Sequence, residues 1–311
     1  MKSVRLGGSK AEVTGLGFGG AGIGNLFTAV SEVDARGAVD AAWAAGVRYF
    51  DTAPHYGLGL SERRLGAALA DRPRSEYVVS TKVGRILEPG AGGRDDEGFD
   101  VPADYRRRWD FSADGVRRSI EDSLVRLGMD RIDVVLLHDP DDHWAEAVGS
   151  AYPALHDLRS QGVVGAIGVG MNQWEMPARF VAETDIDVVM LAGRYTLLDR
   201  SAAPKLLPLC LSRGVSVIAA GVFNSGVLAT DTPGATYDYA PVPEPVRARV
   251  VRMAEICRAH RVSLPQAAIA FAARHPAVAS VVVGAQSADQ FSRNASLYAT
   301  AVPDKLWDDL P

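Results

Sequence analysis

The feature that most constrains this chain is a set of short runs that are apolar at nearly every position rather than at every second one. Ile132 to Leu137, Val163 to Val169, Val188 to Leu191, Val215 to Ala220 and Ala279 to Val283 are the clearest. A strand with one wet face alternates in polarity. A strand buried on both faces does not, and that is the pattern of a parallel sheet covered by helices. Leu16 to Gly19, the stretch that starts at Val47, and Tyr77 to Val83 bring the candidates to eight.

Segments of helical spacing lie between these runs. Ala35, Val39, Ala42 and Trp43 follow a Ser31 cap with Asp34 three residues on, and Gly46 stops that helix; Val116, Ile120, Leu124 and Leu127 end at Gly128. Further helices are expected from about Ser61 to Asp71, up to Gln161 with Pro153 splitting the segment, up to Arg213, over Val246 to His260 and Pro265 to Arg274, and from Ser287. Eight strands alternating with helices predict one (β/α)8 TIM barrel over residues 1–311, with a short hairpin around Gly7-Gly8 ahead of it. The rival pattern is G-x-G-x-x-G at Gly15 to Gly20, with Asp34 or Asp40 downstream, which would suit a Rossmann fold. The strand count opposes it.

Two stretches read as irregular and follow strand ends. One is the polar, Gly-rich insertion Ile86 to Asp110, too long for an ordinary strand-to-helix connection; the other is the loop Asn224 to Pro245. Both are expected to line a substrate pocket. The basic run Arg106 to Arg108, flanked by Asp104 and Asp110, reads as a solvated loop.

A net charge of -5 with no offsetting Lys/Arg cluster argues against a nucleic-acid surface. Cys210 and Cys257 are too few for a disulfide framework and read as buried apolar groups in a reducing compartment. No signal peptide and no run of membrane-spanning length is seen, so the expectation is a soluble cytoplasmic protein.

In a parallel α/β fold the C-terminal strand ends display functional side chains. Asp51 and His138 stand at two such ends, Lys82 closes the run before Val83, and Tyr56 lies five residues beyond Asp51. A lysine in a barrel mouth needs a carboxylate partner, and Asp51 is the obvious one. A phenol has an ordinary pKa of about 10, and a neighbouring ammonium lowers it. His138 would hydrogen-bond the reacting oxygen. The set suits reversible carbonyl/alcohol chemistry, and because no side chain carries hydride, a nicotinamide cofactor is implied. His138 to His143, with Asp139, Asp141 and Asp142 between them, could also be read as a metal cluster. No second group of histidines stands at another strand end, so acidic loop residues beside His138 are the preferred reading and no metal is expected.

The segments Gly46 to Gly57 (GVRYFDTAPHYG), Ser80-Thr81-Lys82 and Asp133 to His138 (DVVLLH) resemble the aldo-keto reductase family, over about Val13 to Leu297. The resemblance implies that Asp51, Tyr56, Lys82 and His138 form the catalytic tetrad of a (β/α)8 barrel. It implies that Asn172 holds the nicotinamide carboxamide and that Gly284, Gln286, Ser287, Gln290 and Asn294 wrap the adenosine end. The start of the last barrel helix would then face the cofactor phosphates. Where the family usually stacks an aromatic on the nicotinamide this chain has Ala220 or Gly221, so Phe223 is the expected substitute. Gln286 stands where NADP-preferring members carry a cation, which favours NAD and leaves NADP as the second choice; Arg293 is the competing cation. Val169 to Glu175 and Ala192 to Asp199 resemble the aldose 1-dehydrogenase branch, which acts on D-threo-aldoses such as L-fucose, or on pyridoxal. The implied reaction oxidises a cyclic hemiacetal to a lactone, on a small sugar or a pyridoxal-like substrate. Alternatives are pyridoxal 4-dehydrogenation, general aldehyde or ketone reduction, and a non-enzymatic cofactor-binding role.

Overall fold

The computed structural model describes residues 1–234 and 236–311. An antiparallel hairpin, β1 (Ser3–Arg5) and β2 (Glu12–Thr14), precedes β3 (Leu16–Gly19), α1 (Glu32–Ala44), β4 (Tyr49–Asp51), α2 (Leu60–Leu69) and β5 (Val78–Val83). A second hairpin, β6 (Arg85–Pro89) and β7 (Tyr105–Trp109), leads to α3 (Ala113–Leu127) and β8 (Val134–His138). Then come α4 (Trp144–Glu146), α5 (Tyr152–Ser160), β9 (Ala166–Met171), α6 (Glu175–Glu183), β10 (Val188–Ala192), α7 (Leu206–Arg213) and β11 (Ser216–Ala220). The chain ends with the small hairpin β12 (Thr236–Tyr237) and β13 (Ala240–Pro241), then α8 (Glu244–Ala259), α9 (Leu264–Ala272), β14 (Val278–Gly284), α10 (Ala288–Ala299) and α11 (Lys305–Asp309).

Eight of these strands close a parallel barrel in the order β3, β4, β5, β8, β9, β10, β11, β14. The expected (β/α)8 architecture and N-terminal hairpin are therefore present. Local chemistry sets the helix ends: Ser31, Ser112 and Ser287 accept from the backbone N–H three residues on, and Gly128 takes the left-handed conformation that ends α3. Pro153 sits in the first turn of α5 behind a π-helical turn at Ala147–Ala151, so the expected split is real.

Strand parity sorts the core. Phe50, Val79, Val135, Leu137, Ile167 and Val189 face outward and pack with the helices. Tyr49, Val134, Leu136, Ala166, Val188 and Ile218 face inward, where Leu6, Ala11 and Val13 from the N-terminal hairpin close the lower end. Gly17 is needed here because a Cβ would lie 2.7 Å from the Tyr49 ring. The Gly15 to Gly20 pattern thus serves barrel packing, not a Rossmann fold.

Three expectations are corrected. The insertion is not wholly irregular, since β6 and β7 pair from Arg85↔Trp109 to Pro89↔Tyr105. Arg106 to Arg108 is a strand rather than a solvated loop. Arg106 and Arg108 point outward to Glu88 at 3.3 and 2.6 Å, while Arg107 turns inward to Asp95 at 2.5 Å. A basic run with carboxylates on each face can pair as a strand. The loop Asn224 to Pro245 contains the β12–β13 hairpin, and position 235 within it lies outside the described residues. The helix α11 had no counterpart in the expectations. Among the described residues no helix is long and apolar enough to cross a membrane.

Candidate active site

Inside the barrel a polar column rises from the apolar lower core. The Tyr49 hydroxyl lies 2.9 Å from Ser80 Oγ, and Ser80 Oγ donates to Asp51 Oδ1 at 2.7 Å. Lys82 Nζ donates to both Asp51 oxygens, at 3.0 and 2.8 Å, and to the Thr52 carbonyl at 3.0 Å. The Lys82–Asp51 pair is almost completely buried, with side chains 2% and 4% exposed. Lys82 Nζ also stands 4.6 Å from the centre of the Tyr56 ring, and the rings of Tyr56 and His138 are 6.0 Å apart. The four residues singled out from the sequence are thus brought together at the upper end of the barrel.

The electrostatics differ from the sequence expectation in one respect. Burial pushes the Tyr56 phenol above its ordinary value; Lys82 pulls it down, and Asp51 and Asp139 push it further up. The sign expected of the ammonium is right, but burial outweighs it. For Lys82, burial opposes the charge, yet Asp51 and Tyr56 outweigh it and raise the ammonium. Burial raises Asp51 against the pull of Lys82 and Ser80. Burial, with Arg85 and Lys82 next in importance, holds His138 well below the usual imidazole value. His138 is therefore neutral, able to donate one N–H and accept at the other nitrogen.

Four further groups stand near this cluster, and of these only Asp139 was expected, as an acidic loop residue beside His138. His55, just before Tyr56, packs edge-on to His138 with ring centres 5.5 Å apart, and burial followed by Arg85 lowers it to about 2. Phe99 from the insertion lies 5.1 Å from His55 and 6.0 Å from Tyr56. With Leu58, Leu87 and Val101 it forms an apolar cluster against which Leu26, Tyr56 and Leu60 pack. Arg85 and Asp139 pair at 2.6 Å beside His138. Strand parity would have found Ser80, two residues before Lys82. Nothing local announces Phe99 or Arg85.

His143 does not join His138. It packs against both Trp109 and Phe111, with ring centres 5.2 Å from each. Among the described residues no three His, Cys, Asp or Glu side chains converge as metal ligands.

The residues expected to hold a cofactor lie at the ends of β9, β11 and β14 and along α10. Asn172 is exposed after β9, and Phe223 is half-buried after β11. Next to Phe223, the buried Asn224 Oδ1 has no partner, while its Nδ2 donates to the Gly193 carbonyl at 3.1 Å. An exposed amide and an orphaned carbonyl oxygen beside the mouth fit a polar amide-bearing ligand such as nicotinamide. Gly284 is exposed, and Asn294 Nδ2 reaches its carbonyl at 3.4 Å. Gln290 Oε1 accepts from Gln286 N at 2.8 Å, and Ser287 caps α10. The Gln286 side chain donates to the Leu26 carbonyl at 3.1 Å and to Thr28 Oγ1 at 3.2 Å. Arg293 is exposed on α10.

A cleft of about 1000 Å³ on the opposite face is lined by Lys10, Arg159, Asp185, Asp187 and Arg213. Arg159 is neutralised there by Asp185 and Asp187, and none of the candidate catalytic or cofactor-binding residues lines it.

Residues 15–310 match the model of the Aldo/keto reductase family. The chain is 49% identical to a D-threo-aldose 1-dehydrogenase from Pseudomonas sp, covering 96% of this chain and 93% of that one. It is 38% identical to a pyridoxal 4-dehydrogenase from Microbacterium luteolum, over 98% and 95% of the two chains. Among solved structures it resembles the holo form of an aldo-keto reductase from Bacillus halodurans, with a TM-score of 0.77, 27% identity, and 100% and 96% coverage.

Proposed function

Because the chain belongs to the aldo/keto reductase family and is an NAD(P)-dependent oxidoreductase, we propose that it oxidises the cyclic hemiacetal of an aldose to a lactone, with NAD as the preferred cofactor. The observation that carries this reading is the convergence of Tyr56 on Lys82 and His138 at the barrel mouth. Asp51 and Ser80 hold Lys82 in place, and Lys82 lends its charge to the face of the Tyr56 ring.

In this reading the hemiacetal hydroxyl sits between Tyr56 and His138. Tyr56, as its phenolate, would take its proton as the C–H bond breaks and the C=O bond of the lactone forms, and neutral His138 would donate a hydrogen bond to the same oxygen. Bound oxidised nicotinamide supplies the hydride acceptor and a positive charge, and a positive charge favours the phenolate. Asn172 and Phe223 would hold the nicotinamide end. Gly284, Gln286, Ser287, Gln290 and Asn294 would hold the adenosine end. Phe99 and its apolar cluster cover Tyr56 and exclude water on the insertion side.

Pyridoxal also forms an internal hemiacetal, so the likeness to the pyridoxal dehydrogenase supports the same chemistry on a second substrate class. The test is a turnover screen of L-fucose, D-arabinose, L-galactose and pyridoxal with NAD and NADP, with the lactone identified as product. Aldose turnover without lactone, or turnover of none of the four, overturns the reading.

A further inference from the structure

Arg85 opens the inserted hairpin, yet its guanidinium lies between the immediate neighbours of two candidate proton-handling groups. Nη2 donates to Asp139 Oδ2 at 2.6 Å, and Nη1 faces His55 Nδ1 at 3.5 Å. Asp139 follows His138, and its Oδ2 lies 3.7 Å from His138 Nε2. His55 precedes Tyr56. The guanidinium rests on Trp109, 4.3 Å from the ring centre, and Glu97 Oε2 lies 3.4 Å from Nη1. The Arg85 and Asp139 side chains are only 13% and 16% exposed. Asp139 adopts a left-handed conformation, φ 43°, which is uncommon away from glycine. From that conformation one carboxylate oxygen meets both Arg85 and the edge of His138.

We propose that Arg85 and Asp139 are a positioning pair: one guanidinium joins the loop of Tyr56 to the strand end of His138 and fixes their separation across the reacting oxygen. The inference rests on the functional reading above and deepens it. Both residues act through their neighbours.

The pair also has an electrostatic consequence. The groups facing His138 are Lys82 on β5, Tyr56 and His55 after β4, Arg85 on β6, Arg107 on β7, and Asp139 beside it. After burial, Arg85 does most to keep the imidazole uncharged. Removing its charge brings His138 back towards the ordinary imidazole value of about 6.5.

The experiment uses the full chain with Arg85→Met, Asp139→Asn and the double variant. Melting temperature is followed alongside, because breaking a buried pair can destabilise the fold. With whichever substrate the enzyme turns over, each single change lowers kcat of the folded protein by about 10- to 100-fold, the scale of a small misplacement of reacting groups. KM and NAD binding stay within about threefold. The double variant is no worse than the poorer single one, because the pair acts as a unit. A second readout is the His138 titration followed by NMR, which rises in Arg85→Met. Near-wild-type kcat in either single variant, multiplied losses in the double, or an unmoved titration overturns the proposal. The titration needs no substrate, so it separates failure of this pair from failure of the hemiacetal assignment.

Discussion

Along β8, Val134 and Leu136 point into an apolar lower barrel, whereas His138, at the same parity, opens onto the polar upper end. The same change occurs between Tyr49 and Asp51 on β4. Carboxylates differ in the same way. Below, Asp133 accepts from Val79 N and Arg74 at 2.8 and 2.6 Å, and Asp187 accepts from Ile167 N at 2.9 Å, so both satisfy strand-start backbone. Above, Asp51 holds an ammonium against a phenol. A shift of two residues along one strand separates apolar packing from the polar candidate site, because parity stays constant and only depth in the barrel changes.

The largest test of that separation is Tyr56→Phe. General acid–base catalysis is worth roughly 10²–10⁴-fold. kcat should fall on that scale, with melting temperature and cofactor binding unchanged. A variant retaining more than about a tenth of wild-type kcat would break the assignment of chemistry to the upper end.

Leu136→Ala should do the converse. Truncating a buried leucine costs about 2–5 kcal/mol, measured as a lower denaturation midpoint, while kcat per folded molecule stays within a few-fold. Loss of rate in a fully folded variant would show that the two ends are coupled.

The rim at α10 sharpens the comparison, since there one missing charge is expected to decide selectivity. A charge-assisted contact to a 2′-phosphate is worth about 1.5–3 kcal/mol, or one to two decades in kcat/KM. Gln286 carries no charge and its amide is engaged with Leu26 and Thr28, so NAD should be preferred by that margin. A kcat/KM for NADP equal to or above that for NAD sinks the expectation. If Arg293→Ala then removed the NADP activity, Arg293 would be the cation responsible.

A last test, on stability rather than rate, is the acid lability of the upper end. His55 is lowered to about 2 and His138 is also lowered, both chiefly by burial. The unfolded chain binds protons at these residues below about pH 6.5 and the folded chain does not, so stability falls as pH drops through that value. His55 contributes about 1.4 kcal/mol per pH unit, and His138 adds to it in the same sense. Asp139, pushed up to about 6 by burial, works in the opposite sense and offsets part of the loss until its unfolded value near 4 is reached. Melting curves below about pH 6.5 should therefore show a slope that flattens in His55→Asn. An unchanged slope would mean that His55 is not buried neutral.

Much of this was legible in the residues themselves. Apolar runs without alternation placed the strands, and Asp51, Lys82 and His138 could be located because strand ends of a parallel barrel share one face. The Lys82–Asp51 pair followed from the need of a buried ammonium for a counter-charge. Arg106 to Arg108 misled because a charge run reads as solvated unless its cross-strand and inward partners are known, and Glu88 and Asp95 lie 12 to 20 residues away. The net rise of the Tyr56 phenol was hidden for a related reason: the ammonium is visible in the sequence, but the apolar cover that Phe99 and its neighbours supply is not.

By itself, then, the sequence determined the alternation of strands and helices, the helix starts at Ser31 and Ser287, and the identities of the four side chains at the barrel mouth. These depend on periods of two and 3.6 residues and on hydrogen bonds that span three. Only the tertiary structure decided how deep each inward residue lies, that the insertion folds back over Tyr56, and that Arg85 meets Asp139 from 54 residues away. Burial and long-range pairing depend on the packing of the whole barrel, and no local pattern in the chain encodes them.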